Sequence, residues 1–272
     1  MLGKLIKYDF KALSRFLVVI HIMLLVTAAL GRVLVVGRFM QNPDSISNSE
    51  MGTVIMTVVI MVYVILFMSA LFGTILMLAI HFYKNLYSDE GYLTHTLPVT
   101  RGQLLASKTI CGSVWMLIDM ALVSLSVLIL VIYKPFVKQF IAYKDDVLEA
   151  MGFPDTVGYG KILLAVFLLS VIYAAENVLM VYMSIALGQL FSNHRVLGSV
   201  IVYFSINTII SIISGVVGAA YGISLLGNAV DERFLYSFYT KTYLFSIVLG
   251  IVFTAVSYFV TQLLMQKKLN LS

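Results

Sequence analysis

The sequence predicts an all-α integral membrane protein, and two observations lead to this prediction. Of the 272 residues, 61% are hydrophobic and 11% are charged, whereas a soluble domain carries about a quarter charged residues. The apolar residues also gather in six stretches, each long enough to cross the roughly 30 Å hydrocarbon core of a bilayer as a helix. This composition excludes a soluble enzyme, a disordered chain and a nucleic-acid-binding protein. The +5 net charge instead comes from basic residues that flank the apolar stretches.

Six membrane spans follow from the positions of the apolar stretches. The predicted spans cover residues 16–37, 53–82, 110–133, 162–191, 196–226 and 243–265. All four prolines fall between them, where water satisfies the backbone groups that a proline leaves unpaired. The stretch 134–161 reads as a loop. No internal repeat or low-complexity linker divides the sequence, so we expect a single membrane domain over residues 1–272.

The residues before the first span have the pattern of an amphipathic helix. Apolar residues recur at helical spacing on one face, and the opposite face is basic, with Lys4, Lys7, Lys11 and Arg15. A basic amphipathic helix lies in the membrane interface, so we predict a separate interfacial helix over residues 2–15. The alternative is that these residues are the polar beginning of the first span. The same basic cluster predicts that both termini are cytoplasmic.

The segment between spans two and three, residues 81–108, is too polar to be buried in lipid but has the features of ordered structure. Asp89 and Glu90 suit the positive end of a short helix that Pro98 terminates. Thr100 and Gln103 have the spacing of a capping box at the start of the next helix. A helix joined to two spans, with two leucines one turn apart, suits the transmission of a movement from a soluble partner. The alternative is a well-capped connecting loop.

The motif in this segment resembles that of a known family. It reads Ser-Asp-Glu-Gly-Tyr-Leu-Thr-His-Thr-Leu-Pro-Val-Thr-Arg, followed by Gln-Leu-Leu-x-Ser-Lys, and is similar to the first cytosolic loop of ABC-2-type transporter permeases. The six-span layout and the basic N-terminal helix also agree with that family. The resemblance implies a cytosolic coupling helix that docks on an ATPase subunit, formed by Asp89, Glu90, Gly91, Tyr92, Leu93, His95, Leu97, Pro98 and Arg101.

The resemblance further implies a permease subunit of an ATP-binding-cassette transporter in the cell membrane. Such a subunit works with two ATPase subunits, which bind the ATP and magnesium, and with a second permease that is identical or related. The chain itself would then be neither an enzyme nor a cofactor-binding protein. Export is the family's more common direction, and the apolar spans suit a lipidic, peptide or drug-like substrate. The resemblance also implies a re-entrant element before the last span, at residues 227–242.

Motifs for other chemistry are weak. The one glycine-rich stretch that resembles a phosphate-binding loop lacks the hydroxyl residue after Lys161 that would ligate magnesium. No two of the four histidines have the i, i+4 spacing of a zinc-binding helix. The single cysteine, Cys111, excludes a disulfide framework, and no nucleophile is accompanied by a base and an orienting group. An intramembrane enzyme is therefore the weakest of the alternatives.

Polar residues inside the predicted spans are the remaining candidates, since a charge in hydrocarbon costs at least about 2.5–3.5 kcal/mol and must face protein or water. They are Asp119 in span three, Glu176 and Asn177 in span four, and Asn207 in span five. We favour hydrogen bonds between helices as their role. If they instead form a proton path, the chain is a proton-coupled secondary transporter that uses Asp119 and Glu176. Such a transporter needs inverted repeats or broken spans, which the sequence lacks.

Span five carries small residues four positions apart in two adjacent stripes. The two stripes lie side by side and are together called the small-residue stripe, which comprises Ser211, Ser214, Gly215, Gly218 and Gly222. Small residues let another helix approach closely, and that helix lies either in this chain or in a second permease.

Overall fold

The protein is described by a computed structural model over residues 2–37, 50–88, 90–91, 94, 96, 98–150, 153, 158–191, 193–225 and 232–267. These residues form α-helices and one π-helical turn, and no strand occurs among them. The helices are α1 (Leu2–Gly31, continued by the π-helical turn Arg32–Val36), α2 (Glu50–Tyr87), α3 (Arg101–Val131), α4 (Lys134–Ala150), α5 (Tyr159–Gly188), α6 (Arg195–Leu225) and α7 (Glu232–Lys267).

Six of these helices, all except α4, are long and apolar enough to cross a membrane. The predicted number of spans is therefore confirmed, and the architecture is that of a multi-pass membrane protein. Several helices continue past the ends of the predicted spans. Helix α2, for example, has 38 residues and is about 57 Å long. Hydropathy marks the apolar length of a helix, whereas polar helix-forming residues such as Lys84 extend it further.

Residues 2–15 are the first half of α1 rather than a separate helix, because α1 continues without a break from Leu2 to Gly31. The apolar face of this segment packs on protein. The Phe10 ring stacks on Trp115 with 4.9 Å between ring centroids, and Leu13 is buried. The predicted position of this segment in the membrane interface stays a prediction.

Helix α4 corrects the expectation of a loop between spans three and four. Its apolar residues recur at helical spacing from Phe136 onward, a signal that the charged residues around them obscure. At its C-terminal half, Lys144 Nζ donates to the Tyr159 hydroxyl at 2.6 Å, and that hydroxyl donates to Asp145 at 2.6 Å. The hydrogen bonds with Tyr159 raise the pKa of Lys144 and lower the pKa of Asp145.

Packing divides the chain into two compact units. The first comprises Met1–His81 and Val114–Ile141, and the second comprises Phe82–Ser113 and Ala142–Ser272. In the first unit, Leu24 of α1, Ala70 of α2 and Val123 of α3 form a buried cluster. Each unit thus has its own apolar core, while the single domain predicted over residues 1–272 stays a prediction.

The core of the second unit depends on close helix contacts. The Phe82 and Tyr182 rings are fully buried and stack with 3.9 Å between centroids. A Cβ at Gly112 would lie 2.9 Å from Val178 and 3.0 Å from the Tyr182 hydroxyl, so α3 approaches α5 more closely than a side chain at this position permits. At the turn between α5 and α6, a Cβ at Gly188 would lie 2.6 Å from a backbone nitrogen.

Residues 232–242 extend α7 as one helix and do not form a separate re-entrant element. Residues 227–231, the rest of the segment that the resemblance assigned to re-entry, lie outside the described residues.

Candidate functional site

The α2–α3 connection (residues 88–100) has local order at both ends. The Ser88 carbonyl accepts the Gly91 N–H at 2.7 Å, and Glu90, Gly91 and Thr94 have helical conformation. At the other end, the Thr100 N–H donates to Gln103 Oε1 at 3.1 Å, and the Gln103 N–H donates to Thr100 Oγ1 at 3.2 Å. The predicted capping box is confirmed. The remaining candidates here lie outside the described residues: Asp89, Tyr92, Leu93, His95 and Leu97.

Arg101 joins the end of this connection to the last span. Its guanidinium donates to the carbonyl oxygen of Gln266 at 2.7 Å and also to that of Met265. These carbonyls belong to the last turn of α7, where backbone acceptors have no partner within the helix and a cation complements the helix dipole. The neighbouring Gly102 carbonyl accepts the Tyr258 hydroxyl at 3.2 Å. The start of α3 is therefore bonded to α7 at two points.

An apolar cavity of about 560 Å³ lies between α5 and α7, beside the start of α3. Aliphatic and aromatic side chains of both helices line it, with Thr109 of α3 and Thr254 of α7. The hydroxyls of Thr109 and Thr254 are buried, and no described residue forms a hydrogen bond with either of them. A mainly apolar cavity of this size with a few polar groups suits a hydrophobic small molecule.

Glu176 lies half-buried on α5 next to Gly250 of α7. A Cβ at Gly250 would lie 3.1 Å from Glu176 Oε2, so the glycine leaves room for the carboxylate. No described residue donates a hydrogen bond to this carboxylate. Asn177 donates to the Tyr173 carbonyl at 2.8 Å within its own helix, and Asn207 accepts from Ser211 at 3.5 Å, also within one helix. Among described residues, these three side chains thus make no hydrogen bond to another helix.

Asp119 does connect helices. Its Oδ1 is 2.7 Å from His21 Nε2 of α1 and accepts the Thr74 hydroxyl of α2 at 3.1 Å. Both His21 and Asp119 are 2% exposed. The three side chains form a polar cluster that joins α1, α2 and α3 inside the first unit.

The hydrogen bonds restrict the protons of this cluster. His21 Nδ1 is 2.7 Å from the Leu17 carbonyl oxygen, which can only accept, so Nδ1 carries a proton. One further proton then lies between Nε2 and Oδ1, and the His21–Asp119 pair is neutral overall on either placement of that proton. Neutrality reduces the cost of burying two ionisable groups in an apolar bundle.

Sequence reasoning missed His21 as the partner of Asp119. The signal was available, because two ionisable residues of opposite type within different spans tend to pair. The separation of 98 residues and the presence of four histidines left the pairing undetermined without the packing.

From Ser211 to Gly218, the small-residue stripe of α6 has no helix of the described chain in close contact with it. Ser211 and Ser214 are exposed, and a Cβ at Gly215 or Gly218 would meet nothing within 4 Å. At Gly222 the nearest atom is in the Phe238 ring, at 3.8 Å. Close helix contacts are made elsewhere, at Gly112 and Gly188.

No three His, Cys, Asp or Glu side chains in the described part of the chain converge so as to hold a metal ion. In comparisons with known proteins, no family model matches the chain, and no curated protein or solved structure matches it. The function is therefore inferred from the motif and from the geometry.

Proposed function

We propose that this chain is the membrane-spanning permease subunit of an ATP-binding-cassette transporter in the cell membrane, with both termini in the cytoplasm. Separate ATPase subunits bind ATP and magnesium and hydrolyse the ATP, and a second permease, identical or related, completes the transporter. The observation that carries the proposal is the α2–α3 connection. It contains the motif that resembles ABC-2-type permeases, and Arg101 at its end is bonded to the last turn of α7.

This bonding supports a mechanical route from the ATPase to the membrane. On the proposal, ATP-driven closure of the ATPase subunits pushes the α2–α3 connection. Arg101 and Gly102 would transmit the movement to α7, because Arg101 holds its last turn and Gly102 accepts the hydroxyl of Tyr258. Tyr258 and Thr254 also line the apolar cavity, so a displacement of α7 changes the cavity directly.

The cavity supports an apolar substrate. Its lining is mostly aliphatic and aromatic, and it lies between two helices that are apolar enough to cross a membrane. A lipidic, peptide or drug-like molecule fits this chemistry better than a small ion, which would require fixed charges or several polar groups. Export of such a substrate is the direction that we propose.

The docking assignment is tested by co-purification of the tagged full chain with an ATPase expressed from the neighbouring gene. The test variant is Leu93→Asp, which places a charge on the proposed docking helix. The matched control is Leu190→Asp, because Leu190 is an exposed leucine in the turn between α5 and α6, on the same predicted side. We expect Leu93→Asp to lose the ATPase while the control retains it. Equal recovery from both variants would remove the docking assignment.

The route through α7 is tested separately with Arg101→Met. This change removes the charged hydrogen bonds to α7 and leaves the docking leucines in place. We expect the ATPase to remain bound while substrate-stimulated ATP hydrolysis in reconstituted vesicles falls. Unchanged stimulation would exclude Arg101 as the link.

The proton-coupled alternative receives less support from the geometry. Asp119 makes two hydrogen bonds and is 2% exposed, whereas a proton carrier must meet water during its cycle. The two proposals are distinguished with vesicles that contain this chain alone. Solute transport driven by a proton gradient, without an ATPase, would contradict the permease proposal.

A further inference from the structure

A second cavity, separate from the apolar one, lies where α1, α3 and α4 meet in the first unit. Its volume is about 520 Å³. Its basic lining residues are Arg32, Lys134 and Lys138, and its apolar lining includes Ile132, Val137 and Ile141. None of the described residues that line it is acidic. The cavity thus combines three cations with an apolar wall.

Arg32 supplies a buried donor to this cavity. Its Nη1 atom is buried and has no hydrogen-bond partner among the described residues, and a buried charged donor without a partner is costly. Helices α1 and α3 are close to each other beside Arg32. A Cβ at the preceding Gly31 would lie 3.0 Å from Leu130 of α3.

Helix α4 adds to the positive potential. It begins at Lys134, and its first turn contains no acidic residue. The N-terminus of a helix already carries a partial positive charge and unpaired N–H groups, so a lysine there is unfavourable unless an anion is bound. Lys138, one turn later, lines the same cavity. Three side-chain cations and a helix terminus therefore face one volume.

The position of the cavity identifies the anion. Arg32 lies at the end of the first span and Lys134 just past the end of the third, which is the depth at which the phosphates of membrane lipids lie. The apolar wall of the cavity offers a surface for an acyl chain next to the cations. We propose that this cavity binds one anionic phospholipid, whose phosphate contacts Arg32, Lys134 and Lys138. This inference requires only that the helices span a membrane and is independent of the ATPase.

Lipid titration of the purified full chain in mild detergent, followed by native mass spectrometry, tests the proposal. The probes are phosphatidylglycerol, which is anionic, and phosphatidylcholine, which is zwitterionic. We expect one phosphatidylglycerol to bind more tightly than phosphatidylcholine. Removal of one cation near a membrane surface weakens the binding of an anionic lipid about fivefold. Arg32→Met should therefore weaken phosphatidylglycerol binding by about that factor and phosphatidylcholine binding by less, because the choline cation offsets the charge of its phosphate.

A second variant and a control keep the test independent of folding. In Lys134→Gln/Lys138→Gln both altered side chains are exposed, so the fold should persist while phosphatidylglycerol binding weakens. Lys161→Gln, at another exposed lysine outside the cavity lining, should bind as the unchanged protein does. Equal binding of both lipids, or unchanged binding by the double variant, would overturn the proposal. Displacement of the lipid by excess inorganic phosphate would instead assign the cavity to a soluble anion.

Discussion

The neutral His21–Asp119 pair leads to a stability prediction that compares single and double substitutions. Replacement of one partner by leucine leaves the other buried without its hydrogen bond. In soluble proteins, loss of one partner of a buried pair costs about 3–5 kcal/mol. In membrane proteins hydrogen-bond couplings average about 0.6 kcal/mol and reach about 1.7 kcal/mol. Because Asp119 makes two hydrogen bonds in a site closed to solvent, we expect His21→Leu or Asp119→Leu to cost about 2 kcal/mol each.

The double variant should be more stable than these losses suggest. It removes both partners and leaves only the Thr74 hydroxyl, which can donate to a carbonyl one turn earlier, as Ser69 does to Ile65 at 2.7 Å. We expect the double variant to lose about 2.5 kcal/mol, which corresponds to a coupling of about 1.5 kcal/mol between the two positions, within the range of membrane proteins. The conservative control Asp119→Asn should lose less than about 1 kcal/mol, since an amide nitrogen in the place of Oδ1 has two hydrogens to donate, one to His21 Nε2 and one to the Thr74 hydroxyl.

The assay is equilibrium unfolding of the full chain in mixed micelles of a mild detergent and sodium dodecyl sulfate, followed by circular dichroism. Additive losses in the double variant would refute the pairing. If Asp119→Asn lost as much as Asp119→Leu, the carboxylate charge would stabilise the cluster beyond its hydrogen bonds, and the shared proton would lie on His21 Nε2.

Two further predictions concern packing and pH. Gly112→Ala should lower the free energy of unfolding by about 1–3 kcal/mol because its Cβ would overlap Val178. The control Gly215→Ala should leave the free energy of unfolding unchanged, because its Cβ meets nothing within 4 Å. Equal effects of the two substitutions in thermal unfolding would contradict the close contact at Gly112. Tyr159→Phe should raise the pKa of Asp145 toward its ordinary value, as read by NMR titration. Because the pKa of Asp145 is lowered in the folded protein, the contact with Tyr159 stabilises the fold at higher pH, and this stabilisation is lost as the pH falls through that pKa. If Tyr159→Phe left the titration of Asp145 unchanged, the hydrogen bond would not be the cause of the lowered pKa.

The sequence predicted the architecture well where a local pattern carried the information. The six spans follow from apolar length alone, because a helix must satisfy its own backbone in lipid. The capping box at Thr100 is likewise local, since it joins residues three apart. Helix α4 was missed although its signal is also local, because the charges among its apolar residues suggested a loop.

Contacts between distant residues required the tertiary structure. The hydropathy of α1 and α3 identifies both as spans, but only their packing brings His21 against Asp119 and leaves Arg32 beside Lys134. The small-residue stripe of α6 is a local pattern whose partner the sequence does not specify. Small residues permit close approach of another helix, but they do not determine which helix approaches. Composition and apolar length thus determined that this chain is a membrane protein with six helices long enough to span the bilayer. The pairing of its few polar groups was decided by packing, because each buried charge takes its partner from whichever helix the fold places next to it.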